Sequence, residues 1–160
     1  MLRNRYERAD LFALVPQLGL RFEPQLEQLD RLLDDGLVDL VRGDLARRHP
    51  RTTSRGRPST PVEVILRMLV VMRLYFWSFE QAEYSVNDSL VLRQSCRVYL
   101  EKVPDDTTLI RRANAIGPDT LQALNDRVVR LARSLKLTRG RKLRFDTTAV
   151  ETAGGRDPSV

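Results

Sequence analysis

An aspartate stands where a strand pattern should exclude one. The segment from Arg139 to Glu151 reads RGRKLRFDTTAVE, a basic turn followed by an alternating run that delivers Asp146. Aspartate is depleted in strands, so a carboxylate held there calls for a reason. Metal-ion chemistry on a phosphodiester supplies one, with Asp146 as a ligand to Mg²⁺. That chemistry needs more than one carboxylate. Glu151 lies five residues on, and an odd separation in a strand sends side chains to opposite faces, so it is not the partner of Asp146. The plain alternative is an aspartate at a strand end, in a polar turn.

Cationic residues form the second constellation. Arg127, Arg130, Arg133 and Lys136 step by three, and Arg139, Arg141, Lys142 and Arg144 follow; residues 127–144 hold eight bases and no acid. On a helix, three-residue steps drift around the axis, so the first four form a slanted band. A polyanion would relieve their mutual repulsion and release counterions. The competing reading is a solvated face packed beside acids from elsewhere in the fold. A second basic stretch runs from Arg47 to Ser59, with Arg51, Arg55 and Arg57 and no apolar residue. Its Arg55-Gly56-Arg57-Pro58 could enter a narrow minor groove. Four residues are a weak motif, and a plain connecting loop is the simpler reading; phosphate contact suits both.

Two helix-turn-helix arrangements are available. One pairs Phe79–Asn87 with Ser89–Val98 and expects Arg93 and Arg97 to point outward. The other pairs Thr107–Ile116 with Asp119–Leu137 and carries Arg111 and Arg112 ahead of the turn. Short helix pairs are common in all-α domains; the first is preferred here. The expected DNA-contacting set is therefore Arg51, Arg55, Arg57, Arg93, Arg97, Arg130, Arg133, Lys136, Arg139, Arg141 and Lys142.

The elements that position these groups are mostly helical. Asp10 to Gln17 reads as a short first helix. Pro24 opens a clearer one, with Leu26, Leu29, Leu32 and Leu33 at helical spacing and Gly36 as its stop. Val38 to Arg48 follows as its antiparallel partner. Thr60-Pro61-Val62-Glu63 reads as a capping box before a helix to about Phe76 that is apolar on nearly every side, the expected centre of the core. Ser78 and Gln81 repeat the capping pattern. Asn87-Asp88 interrupts, and Val103 to Thr108 is a turn rich in capping residues. Gly117-Pro118 separates a helix over 107–116 from a long one to about Leu137, with Leu121, Leu124, Val128, Leu131 and Leu135 on one face. Lys142 to Val150 reads as a strand, and 153–160 as a disordered tail.

Composition bounds the rest. A chain of 160 residues can bury one good core. Its 27 Lys+Arg against 21 Asp+Glu give a net charge of +6 and an isoelectric point of about 10.1. Nearly all the base is arginine, suited to bidentate phosphate contact. One cysteine, Cys96, excludes an internal disulfide and reads as a small buried residue. With one histidine, His49, the usual Cys/His zinc sites are excluded as well. The first residues, MLRNRYERAD, lack the apolar core expected of a signal peptide, and the apolar run Val62 to Trp77 contains Arg67 and Arg73. No membrane association is expected, and a cytoplasmic location follows by default.

Several blocks together resemble the N-terminal region of bacterial insertion-sequence transposases of the DDE type, the transposase InsH N-terminal domain family. They are GRPSTPVEVILRMLVVMRLYFWSFEQAE, DSLVLRQSCRVYLEKVPDDTTLIRRAN, IGPDTLQALNDRVVRLARSL and GRKLRFDTTAVET. The resemblance covers about residues 36–152. It implies that Asp146 is the first of three catalytic acids, on the first strand of a ribonuclease-H-like sheet. In that family two Mg²⁺ ions activate water or a DNA 3′-hydroxyl, and the helical region binds terminal inverted repeats. Two departures stand out. Arg112 replaces a usual aromatic residue, and after Thr152 the chain reads AGGRDPSV where the family continues with its own motif.

The expectation is thus a mainly α chain: a helical DNA-binding region over 1–138, one β-strand over 139–152 as the start of an incomplete ribonuclease-H-like domain, and the tail. A truncated or frameshifted transposase of this kind binds terminal-repeat DNA, is catalytically incomplete alone, and by itself holds no Mg²⁺. Expected partners are DNA and, in a regulatory role, full-length transposase or a second copy of the chain. One rival reading has a frameshift or second chain supply the missing acids. Another is a helical interaction module that binds no DNA.

Overall fold

A computed structural model describes residues 1–7, 22–48 and 59–134. Every regular element among the described residues is an α-helix: α1 (Pro24–Glu27), α2 (Leu29–Leu32), α3 (Asp35–Arg48), α4 (Val62–Leu74), α5 (Phe79–Asp88), α6 (Leu90–Ser95), α7 (Asp106–Ala113) and α8 (Pro118–Ser134). The proposed helix over 10–17, the loop over 49–58, the strand over 142–150 and the tail lie outside the described residues.

The centre is α4, as its composition demands. Val62, Val64, Ile65, Leu66, Met68, Val70 and Val71 are all buried. Each such side chain taken from water contributes about 1.5–3 kcal/mol. Around α4 pack α3, α5 and α7, while α8 lies on α3 and α2, and α6 on α5. The main partners of α3 are therefore α4 and α8, not the preceding short helices as the sequence pattern suggested.

Three helix starts follow the local code. Ser78 Oγ accepts from the Gln81 amide at 3.2 Å, and the Gln81 side chain accepts from the Ser78 amide at 3.0 Å. Ser89 caps α6 through the Leu92 amide, and Asp105 caps α7 through the Thr108 amide at 2.6 Å. Each satisfies an amide left free in the first turn.

The start of α4 does not. Thr60 is not its cap and Glu63 does not reach back; Pro61 is the N-cap residue and makes no side-chain capping bond. The chain's own beginning does this work instead. The Val62 and Glu63 amides donate to the carbonyls of Arg3 (2.9 Å) and Asn4 (3.1 Å), and the Ser59 amide to that of Met1 (3.1 Å). Arg3 Nε donates to the Ser59 carbonyl at 2.9 Å. Backbone acceptors 58–59 positions away replace the capping box, which frees the Glu63 carboxylate for another task.

Gly36 is a second correction. The leucine-rich segment breaks at Gln28 and ends at Leu32, and Gly36 lies inside α3. The Asp34 carboxylate accepts from the Leu37 amide at 3.0 Å and so opens a new helix ahead of the glycine. In α8, Leu124 and Val128 pack on the core, whereas Leu121 is exposed and Thr120 is buried. The inward face therefore starts at Thr120.

Two helices stop without glycine. At the end of α4 the Trp77 amide donates to the Met72 carbonyl and the Phe76 amide to that of Arg73; at the end of α6 the Val98 amide donates to Arg93 and the Arg97 amide to Gln94. Both are Schellman stops. The left-handed position is filled by Phe76 (φ 57°) in one and Arg97 (φ 55°) in the other. Glycine is the usual signal for this stop, and neither position carries it.

Candidate nucleic-acid interface

Arginine dominates the basic residues, and the fold sorts the arginines by what faces them. One group surrounds Glu63, which is 1% exposed. Arg67 Nε reaches Glu63 Oε1 at 3.1 Å, Arg97 Nη1 the same oxygen at 2.8 Å, and Arg5 Nε reaches Oε2 at 2.9 Å. Arg67 also donates to the Ser95 carbonyl at 3.0 Å and to Asp30 at 2.5 Å; Arg97 shares that Asp30 oxygen at 3.0 Å. Arg5 completes the chain with an ion pair to Asp35. Burial works to raise the Asp30 carboxyl, yet hydrogen bonds and charge from Arg67 and Arg97 hold it below the usual carboxylate range.

The sequence carried a signal for this network. Glu63 and Arg67 lie four apart on a helix whose other residues are apolar except for the exposed Arg73 in its last turn. Two charges on a buried helix have to pair with each other or with something near. Arg5, Asp30 and Arg97 could not be added from spacing, since each comes from a distant segment.

Arg93 and Arg97, expected to point outward, are half-buried instead. Arg93 donates to the carbonyls of Tyr99 (2.8 Å) and Glu101 (3.0 Å) and to Asn87 Oδ1 (3.0 Å). It thereby holds the turn in which Arg97 and Tyr99 take positive φ. Arg97 is spent on Glu63 and Asp30. Arg127, first residue of the slanted band, pairs with Asp34. The Arg127 bond and the Leu37 amide hold that carboxyl below its ordinary range.

The second group faces solvent. Arg130 and Arg133 on α8 are exposed, and Arg130 Nε alone bonds inward, to the Asp126 carbonyl at 3.3 Å. Arg111 on α7 is exposed; its Nε and Nη2 lie against Thr107 O (3.4 Å) and Thr108 Oγ1 (3.2 Å). Arg112, beside it, is half-buried. Burial first, and the charge of Arg111 second, lower its pKa, a setting that an anion would relieve. Asp44 is buried and accepts from the Gly117 amide at 2.8 Å, which anchors the turn between α7 and α8. A Cβ on Gly117 would stand 3.2 Å from that carboxylate, so the close approach favours glycine there.

Arg51, Arg55, Arg57, Lys136, Arg139, Arg141, Lys142 and Asp146 lie outside the described residues. Among the described residues no group of three His, Cys, Asp or Glu could hold a metal ion. Nor is any described helix long and apolar enough to cross a membrane. Cys96 is fully buried, and burial pushes its thiol up to about 12, so it is a packing residue rather than a nucleophile.

A family model described as Transposase domain (DUF772) matches residues 18–114, more than half of the chain. The match takes in α1 to α7 and stops before α8. No curated protein and no solved structure matches.

Proposed function

This chain belongs to the transposase domain (DUF772) family, and on that ground we propose that its helical region binds duplex DNA at the terminal inverted repeats of an insertion sequence. The family match over residues 18–114 is the observation that carries the reading. The charge supports it: +6 overall, with Arg111, Arg130 and Arg133 exposed. Arginine suits the task because its planar fork engages phosphate and base edges bidentately. Asp146 enters the same proposal as the first of three acids that hold Mg²⁺ for phosphodiester chemistry. That ion, when bound, would polarise the phosphate and activate the attacking oxygen.

Titrating the 160-residue protein against labelled inverted-repeat duplex tests the binding. Affinity should fall steeply between about 50 and 200 mM salt, because each neutralised phosphate contributes about 0.9 to the logarithmic slope. Replacing Arg130 and Arg133 together by Gln should lower that slope by about two, since each phosphate contact is worth about one. A wild-type affinity unchanged across that salt range would sink the proposal.

A further inference from the structure

Of the described helices, α7 has the geometry and surface chemistry of a base-reading element. It is an eight-residue helix, and an α-helix with its side chains is about 10–12 Å across, which the major groove, about 12 Å wide, admits. Leu109, with no exposed surface, locks its inner side into the core, and α7 packs on both α4 and α5. The Asp106 amide donates to Glu83 of α5 at 2.8 Å, and Asp105 caps the first turn. The helix is thus held at both its apolar face and its start.

Its outward face consists of Thr107, Ile110, Arg111 and Asn114, all exposed. Spacings of three, one and three place these four within an arc of about 100°. The side-chain types are those that discriminate base edges: Arg for guanine N7 and O6, Asn for adenine, and Thr and Ile methyl groups against the thymine methyl. Asp106 borders that arc at its start, where its Oδ1 accepts from Thr107 Oγ1 at 3.0 Å and leaves the threonine methyl for contact. Asp105 and Asp106 crowd the helix start, so phosphate is favoured at the other end, where Arg111 and Arg112 stand. Arg112 is half-buried among the described residues with no carboxylate bonded to it. By contrast α6 has six residues, and Arg93 and Arg97 at its end bond within the fold.

We propose that α7 enters the DNA major groove, with Thr107, Ile110, Arg111 and Asn114 reading bases and Arg112 taking a flanking phosphate. The assignment rests on the DNA-binding reading above and replaces the helix pair Phe79–Val98 that the sequence pattern preferred.

Selection from a pool of randomised duplexes tests it, using the full chain and its Arg111→Gln, Asn114→Ala and Arg112→Gln variants. The wild type should enrich one site. Arg111→Gln should relax the preference at one base pair by roughly 5- to 100-fold while affinity for unrelated duplex changes less than about threefold. Asn114→Ala should relax a second position, and it provides an independent arm because its side chain is exposed. Arg112→Gln should weaken binding to all duplexes alike and reduce the salt slope by about one. If wild type and both base-reading variants enrich the same site with the same preference, α7 is not the reader, although the DNA-binding reading stands. Wild-type binding with no enriched site overturns the assignment in the same way. Retention of single-stranded RNA or of no nucleic acid at all, with duplex ignored, removes the DNA-binding reading and the assignment together.

Discussion

The arginines around Glu63 and three on α7 and α8, Arg111, Arg130 and Arg133, share one side-chain type and have opposite surroundings. Arg67 is 2% exposed and bonds to Glu63, Asp30 and the Ser95 carbonyl. Arg111 and Arg133 face solvent. A buried guanidinium has to be matched, because an unpaired charge in the interior is costly. An exposed one is hydrated and stays available to a polyanion. A basic composition therefore does not mark a nucleic-acid surface by itself. The surface is what remains after the fold has used its own cations.

Breaking the inner group should have the largest effect. Arg67→Met leaves Glu63 buried with part of its charge unmatched and should cost about 3–5 kcal/mol in urea unfolding. Arg133→Gln, on the outer group, should stay within about 0.5 kcal/mol. Equal losses at the two positions would erase the contrast.

Arg93→Ala comes next. It frees the carbonyls of Tyr99 and Glu101 and releases the strained turn, at an expected loss of about 1–3 kcal/mol. Duplex affinity of the refolded variant should be preserved. A variant of unchanged stability and reduced DNA affinity would place Arg93 with the solvent-facing arginines instead.

Phe76→Gly should act in the opposite direction. Phe76 is 89% exposed and sits at φ 57°, so glycine relieves the left-handed strain and little burial is lost. A net gain of about 0.5–1 kcal/mol is expected after the greater chain entropy of glycine is subtracted. A lower melting temperature would show that the phenyl group makes contacts of its own.

The smallest effect concerns acid. Asp30 has a depressed carboxyl pKa in the folded state. Its contribution is complete above the unfolded carboxylate pKa and is lost as pH falls through the lower folded value. The side chain is 68% exposed, so water screens much of it. Asp30→Asn should flatten the acid limb of a stability–pH curve slightly and leave neutral pH behaviour close to that of a weakened ion pair. An acid limb unchanged from the wild type would show that Arg67 and Arg97 are matched by Glu63 alone.

Some of this was legible in the chain. The starts of α5, α6 and α7 were expected within a residue or two, because Ser78, Ser89 and Asp105 bond to amides three residues on. The buried character of α4 was evident from apolar residues on nearly every side of it. The start of α4 misled, since Thr60 and Glu63 match a capping box in spelling, while carbonyls of Arg3 and Asn4 occupy the amides it would have served. Arg93 and Arg97 misled for a related reason: helical phase alone could not reveal acceptors on the turn after α6 for Arg93, or on Asp30 and Glu63 for Arg97. The outward face of α7 was not legible, because only packing against α4 and α5 decides that Leu109 faces inward and its neighbour Ile110 outward.

What the sequence determined alone is whatever rests on neighbours: helix type, the starts of α5, α6 and α7, the apolar centre and the excess of arginine. Tertiary structure decided which cations are spent. Arg5 meets Glu63 across 58 positions and Arg97 meets Asp30 across 67. Pairings at such separation are set by how α2, α4 and the turn after α6 pack, and a carboxylate buried by that packing draws in whichever guanidinium the backbone brings within reach.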